Sequence, residues 1–416
     1  MKYAFPQLDS KTRFQTYNIV ARTLLTNGHS VTPDIEDDSD AVLFSACDAL
    51  DMVQLRQLMK KTDKPIILGG SYAFNFWSAS TFADIVWIGE VFEFAELKTL
   101  ADIADHRSAY TGTPKQLFAS QRIDWERVPI TQISKNKCYY WGGVGCKNKC
   151  RFCFTSWTHK HQVNSNARIS SAIATARKRG IHLMISANEY TDDIDVKTKD
   201  MLLRDYIKKP VKGACVRLGV EFATERVREK IGKPITRNEL FAAIQKMNVD
   251  NVALKLFHIA GYESRDDWEQ YILDLCEMVT RSPNKRLLHL EFNNLQYQNY
   301  TPLYRERHSI DPDKYIDIST TKRWFDILRQ HSSHVLVGAP SPFKHVASRM
   351  VIELGTTREI VNSGLTMLAR KGKHTNEEYY KLLIDSGVLN TPAYALNFQT
   401  GEIKRRAESD HIGVDN

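Results

Sequence analysis

No run of about 18 apolar residues occurs anywhere in the 416-residue sequence, so no membrane-crossing helix is expected. The opening Met1-Lys2-Tyr3-Ala4-Phe5-Pro6 has no signal-peptide pattern. Cysteine is scarce: seven residues, an odd number, with only Cys47 before residue 130 and none after Cys276. That distribution argues against a disulfide framework and fits a cytoplasmic chain. It also leaves neither end of the chain a second cysteine-rich site. No aromatic-and-basic nucleic-acid module is recognisable. The net charge of +8 is still compatible with a nucleic-acid substrate. A composition of 42% hydrophobic and 25% charged residues is that of folded domains, and the length suggests two or three.

Three of the seven cysteines stand together, in Gly145-Cys146-Lys147-Asn148-Lys149-Cys150-Arg151-Phe152-Cys153-Phe154. Thiolates are soft ligands suited to zinc and iron–sulfur clusters, and a tight loop can aim several at one centre. Three are one short of a closed structural zinc site, whereas a [4Fe–4S] cluster held by three keeps one iron open. The spacing therefore points to chemistry at an open position; a partial zinc site is the other reading. The stretch resembles the cluster loop of the radical S-adenosylmethionine (SAM) superfamily, including its aromatic, here Phe152. The resemblance implies a [4Fe–4S] cluster on Cys146, Cys150 and Cys153, whose fourth iron is chelated by the amino and carboxyl groups of SAM.

Ahead of that loop, residues 1 to about 100 alternate helices with short apolar strands, the pattern of a parallel α/β sheet. Arg13 to Asn27 has helical spacing and stops at Gly28. Strands are expected at Asp40 to Ala46, Pro65 to Gly70 and Ala83 to Ile88. Ligands on such sheets lie beyond the carboxyl ends of the strands, so Ser45, Gly69, Gly70 and Glu90 would border any cofactor. Cys47 is a candidate thiol beside it. This order resembles the cobalamin-binding-type, flavodoxin-like domain that precedes many radical SAM barrels. The Asp-x-His-x-x-Gly motif that supplies an axial histidine is absent. Cobalamin therefore stays open, and a domain that has lost the cofactor and shapes the substrate cleft is the preferred reading.

From Cys138 onward, strand, loop and helix repeat as in a partial (β/α)6 TIM-like barrel, with chemistry expected at the carboxyl ends of the strands. The cluster loop follows the strand Lys137 to Trp141. The next strand, Ile181 to Ala187, ends in Ser186-Ala187-Asn188-Glu189. That end is similar to the family's Gly-Gly-Glu motif, which implies that Ser186, Asn188 and Glu189 receive the amino group of SAM. Val216 to Arg226, continued by Val227 to Thr236, resembles the "GxESGSxxVLxxMNKPIT" stretch of the same branch. Period-two alternation sets Arg217, Gly219 and Glu221 on one face, expected to be the interior. The resemblance assigns Glu221 and Thr224 to the ribose or methionine moiety, and Arg226 or Arg237 to the SAM carboxylate. Val252 to Gly261 resembles the strand flanking adenine, where only Ile259 and Gly261 carry over. His289, Glu291 and Asn293 share one face of a further strand, either substrate-facing or ordinary surface. Tyr300 to Tyr304 resembles the "PGTPLY" turn.

The expected organisation is a cobalamin-binding-like α/β domain (1–104), a linker (105–132), a radical SAM barrel (133–310) and a basic, mainly helical region (311–416) read as a solvated cap on the barrel. The resemblance implies an enzyme that cleaves SAM to a 5′-deoxyadenosyl radical. That radical takes hydrogen from a substrate and leads to methylation or rearrangement; a modified nucleic-acid base is one candidate substrate. An external electron donor of flavodoxin or ferredoxin type is implied. The contrasting class is a non-catalytic iron–sulfur or zinc protein that binds nucleic acid.

Overall fold

The computed structural model describes residues 1–6, 13–47, 49–112, 123–134, 137–158, 160–186, 198–211, 215–283, 285–297, 301–306, 314, 318–338, 361–362, 364–366, 394–397 and 402–405. The first sheet contains β1 (Lys2–Ala4), β2 (Ser30–Thr32), β3 (Ala41–Ser45), β4 (Ile66–Gly69), β5 (Ile85–Trp87) and β6 (Ala109–Tyr110). They pair in the order β2-β1-β3-β4-β5-β6, all parallel except β6. All five residues of β3 are buried, because a central parallel strand is covered on both faces. Successive side chains then feed different cores. Val42, Phe44, Ile66, Leu68 and Val86 pack on one side. Tyr3, Leu43, Ile67, Ile85 and Trp87 pack on the other. The order 2-1-3-4-5 is the flavodoxin-like one, and its reversal between β1 and β3 opens a ligand crevice at the carboxyl ends.

The second half begins with β7 (Thr131–Ser134), antiparallel to β8 (Lys137–Trp141). β9 (Gly143–Val144) and β10 (Gln162–Val163) pair antiparallel and bracket the cysteine loop. β11 (His182–Ser186) lies parallel to β8. A five-stranded parallel sheet follows, of β12 (Thr198–Met201), β13 (Cys215–Glu221), β14 (Ala253–Ala260), β15 (Leu288–Asn294) and β16 (Val335–Gly338). Burial alternates strictly along β13 and β14. Val216, Leu218, Leu254, Leu256, Leu288 and Leu290 pack against Ile244, Met247, Trp268, Leu275 and Trp324 of the covering helices. The alternate residues, Arg217, Lys255, His289 and Glu291 among them, are half-buried on the inner face. β12 and β16 were not expected from the sequence.

The helix Ile318–His331 covers the barrel sheet through Trp324 and Leu328, and a later segment of the C-terminal region returns to the first sheet. Val361 and Leu365, both 0% exposed, complete a core of the first sheet. Arg56 Nη1 donates to Asn362 O at 3.2 Å and to Thr366 Oγ1 at 3.0 Å. A hairpin of β17 (Tyr394–Asn397) and β18 (Glu402–Arg405) also lies there. The helix expected over 377–385 falls outside the described residues, as do most of the basic residues of this region.

Candidate cluster and cofactor site

The cysteine loop is held in shape by its own backbone and by two later segments. Gly145 turns the chain at φ 70°. Cys153 N donates to Cys150 O at 3.1 Å, and Trp157 Nε1 donates to the same oxygen at 2.9 Å. Lys149 Nζ donates to Ser156 O at 2.6 Å and lies over the Trp157 ring. Arg151 N donates to Ile231 O at 2.9 Å, and Leu303 N to Arg151 O at 3.0 Å. Gly232, at φ +80°, packs on the loop so closely that a Cβ would lie 3.3 Å from Lys149 O. The sequence stretch after Glu221 and the turn at Thr301 thus serve as the loop's supports.

Cys146, Cys150 and Cys153 line one cavity of about 660 Å³ with Phe152, Glu221, Lys233 and Ile259. Burial pushes the Cys150 thiol up to about 11, partly countered by Lys233, with Cys153, Glu221 and Cys146 adding to the rise. Such a thiol keeps its proton until a metal displaces it. Among the described residues no group of three Cys, His or acidic side chains is placed to hold a single ion. Three thiols on one cavity wall are soft donors of the kind a sulfide-bridged iron cluster takes, and such a cluster spreads its ligands wider than one ion does.

Opposite the thiols, Glu221 ends β13 in the left-handed region at φ 71°, where pairing with β14 shifts register. A bulky residue holds that conformation only where its surroundings impose it. Here its Oε1 accepts from Lys233 Nζ at 2.6 Å, with both side chains largely buried. A Cβ on Gly219 would collide with the tips of both side chains, so the pair in this position leans on the bare glycine backbone. Burial pulls the Lys233 ammonium down, but Glu221 and the thiols of Cys150 and Cys153 outweigh it and hold it above its ordinary value. Deeper on the inner face, Arg217 Nη2 donates to Asp200 Oδ2 at 2.5 Å. Lys255 Nζ and His289 Nε2 each lie 3.1 Å from Glu291 Oε2.

A second cavity, of about 450 Å³, lies at the carboxyl ends of the first sheet. Phe5, Ser45, Cys47, Gly70 and Glu90 line it from one side, and Tyr139, Trp141 and Gly145 from the other. Phe154 and Thr155 line both cavities, so the cysteine loop is their shared wall. Ser45 is 8% exposed, and its Oγ has no hydrogen-bond partner among the described residues. Gly70, at φ +88°, lies 3.0 Å from that oxygen at its Cβ position and would collide with Ala46 O if substituted.

Burial pushes the Glu90 carboxyl up to about 7, with Glu93 adding to the rise. Between the ordinary value of 4.5 and about 7, the folded chain holds a proton that the unfolded chain has released. Stability therefore falls as pH rises through that window. Ligand-free Glu90→Gln should be more stable than the parent at pH 8 by up to about 3 kcal/mol, and close to it near pH 4. Denaturant melts at the two pH values check this; an equal difference at both would show that burial of Glu90 is not the cause.

Among solved structures, the cobalamin-dependent SAM radical enzyme OxsB with aqua-cobalamin bound aligns at a TM-score of 0.52 and 11% identity, over 94% of this chain and 79% of that one. The radical SAM methyltransferase TsrM from Kitasatospora setae, with tryptophan substrate and a SAM analogue, aligns at 0.50 and 12%, over 74% and 76%. The chain has the fold of the cobalamin-dependent radical SAM enzymes. No family model matches the sequence, and no curated protein matches it.

Within this radical SAM fold, the residues expected from the sequence fall into three groups. Cys146, Cys150, Cys153, Phe152, Glu221 and Ile259 meet on the first cavity. The Phe152 ring also packs edge-on against Phe222, at 5.8 Å. Asn293 lines the same cavity, which places the face of His289 and Glu291 inward. Ser186 ends β11 beside Trp141, while Asn188 and Glu189 lie outside the described residues.

Thr224, Arg226 and Arg237 do not join them. The Thr224 hydroxyl donates to Glu263 Oε1 at 2.5 Å and caps the helix Glu225–Lys230 through Val227 N at 3.3 Å, a structural use. Arg226 is exposed on that helix. Arg237 is paired with Asp274 and Glu277 of the helix Arg265–Arg281. Among the described residues, the lysine and arginine that line the cavity are Lys233 and Arg217, neither of which was assigned a ligand from the sequence. Lys233 sits in the "KPIT" run already matched, so position was the available signal.

Proposed function

We propose that the chain is a radical SAM enzyme that carries a [4Fe–4S] cluster on Cys146, Cys150 and Cys153 and a corrinoid in the cavity of the first sheet. The observation that carries this reading is the shared wall: one cysteine loop faces both cavities through Phe154 and Thr155. The fit to a cluster rests on three thiols with a buried cation beside them. The fit to a corrinoid rests on the orphaned hydroxyl of Ser45 and on the Gly70 cradle, which a Cβ would fill. That reverses the preference drawn from the missing histidine motif, because a strand-end cradle is independent of an axial ligand.

When bound, a reduced cluster supplies the electron that splits a carbon–sulfur bond of SAM, giving the 5′-deoxyadenosyl radical that takes hydrogen from the substrate. A corrinoid supplies a centre for one-carbon transfer, which favours methylation over rearrangement. The protein's own part is position and dryness. Lys233 is the cation for the SAM carboxylate, in the role first assigned to Arg226 or Arg237. Glu221 accepts from hydroxyl or amino groups of the same ligand. Phe152 and Ile259 give an apolar wall. Ser45 donates to the ligand of the first sheet. An external one-electron donor completes the system. Among the described residues no helix is long and apolar enough to cross a membrane.

The test is anaerobic loading with iron and sulfide, then dithionite and SAM, with 5′-deoxyadenosine followed by chromatography. The wild type should form it and Cys150→Ala should give none above background. Hydroxocobalamin should bind with a changed visible spectrum, and Gly70→Val should abolish that binding. A fully loaded cluster that yields no deoxyadenosine would end the enzyme reading in favour of a metal-binding protein without catalysis.

A further inference from the structure

We propose that Ser156 donates a hydrogen bond to a sulfur of the cluster and so sets the potential at which the cluster accepts its electron. This rests on the cysteine loop holding a cluster. Ser156 is 1% exposed, and its Oγ has no hydrogen-bond partner among the described residues. It lines the same cavity as the three thiols. Its N–H donates to Cys153 O at 3.1 Å at the start of the helix Thr155–Thr158. That backbone bond ties Ser156 to Cys153, three positions earlier, and both residues line the thiol cavity.

A buried serine near a helix commonly turns its hydroxyl back to the carbonyl three or four residues earlier. Ser156 does not: no carbonyl accepts from it among the described residues. Nor is the segment loose, since the Ser156 carbonyl accepts from Lys149 Nζ and Trp157 Nε1 is fixed on Cys150 O. A hydroxyl buried in this way costs free energy unless an acceptor arrives. The sulfurs of a cluster are acceptors that gain negative charge when the cluster is reduced, so a donor at this place favours the reduced form. Thr155, one position earlier, lines both cavities, whereas Ser156 lines the thiol cavity and not the one on the first sheet.

The experiment uses the full chain, loaded anaerobically as wild type, Ser156→Ala and Ser156→Thr. Iron and sulfide per chain are measured first. Each sample is then titrated with dithionite, and the one-electron reduced cluster is counted by electron paramagnetic resonance. With equal loading, Ser156→Ala should have a more negative midpoint. A tenfold loss in the reduction equilibrium is 59 mV for one electron. Ser156→Thr keeps the hydroxyl and should stay with the wild type. An unshifted midpoint in fully loaded Ser156→Ala overturns the inference and leaves the cluster reading intact. Failure of the wild type to take up iron overturns the cluster reading itself. If the alanine variant does not load, Ser156→Gly is titrated in its place; should it also bind less than half the wild-type iron, the hydroxyl builds the loop and the proposal fails.

Discussion

Lys233→Met should cost the protein about 3 kcal/mol of stability, while Glu221→Gln combined with Lys233→Met should cost much less. Both side chains of the pair are largely buried, 17% and 12% exposed, and they meet at 2.6 Å. Removing the ammonium leaves the Glu221 carboxylate in a cavity wall with no counter-charge, which is the expensive outcome. Removing both charges leaves two neutral groups of similar shape. Urea melts of the parent, the two single variants and the double variant give the coupling directly. Additive effects would mean that the contact contributes nothing. The same Lys233→Met variant should bind SAM roughly 30-fold more weakly, the factor that about 2 kcal/mol makes. Equilibrium dialysis on cluster-loaded protein reads it, and unchanged affinity would move the carboxylate to Arg217.

The parts of this site that could be read from the sequence are those whose residue type and spacing both carry information. The three cysteines and Phe152 needed no structure, since few arrangements explain three thiols in eight positions. β8, β14 and β15 were expected within a residue or two, and alternation alone put Arg217, Gly219 and Glu221 of β13 on the face that lines the cavity. β12 was missed for the opposite reason. Thr198-Lys199-Asp200-Met201 is too short and too polar to show alternation, and its inner residue Asp200 exists to meet Arg217. The return of Val361 and Leu365 to the first sheet was illegible: two apolar residues do not say which of two cores they enter.

The arginines teach a different lesson. Thr224, Val227, Arg228 and Ile231 follow the i, i+3, i+4, i+7 spacing of a buried helical stripe. Arg226 lies off that stripe, so its assignment to SAM could have been rejected on periodicity alone. Lys233 was harder, because it follows the helix and reaches the cavity only through the turn at Gly232. On the first sheet, the proposed corrinoid rests on features that a motif does not encode. Ser45 and Gly70 were already in view at strand ends, but only the structure shows that one has no partner among the described residues and the other has no room for a side chain.

Arg228→Met should destabilise the protein by about 4 kcal/mol, more than an ordinary core substitution. Arg228 is 2% exposed, and burial holds its guanidinium below the usual arginine range. Its Nε and Nη1 are both spent on backbone carbonyls. Nε donates to Ile235 O at 2.7 Å, and Nη1 donates to Phe222 O and Ala223 O, both at 2.8 Å. Those three carbonyls lie on either side of the segment that carries Lys233, so the guanidinium closes the loop between Glu221 and Ile235. Methionine fills part of the volume but leaves three buried carbonyls without a donor, each bond from a charged group being worth about 1.5–3 kcal/mol. Relief of the arginine's own burial returns some of that. Arg228→Lys keeps the charge without the fork and should fall between methionine and the parent. Urea midpoints at unchanged slope measure all three. The Glu221–Lys233 coupling, repeated in the Arg228→Met background, should also shrink, because the loop that aims Lys233 at the cavity has lost its clamp. A methionine variant within about 1 kcal/mol of the parent would show that the loop holds without the arginine.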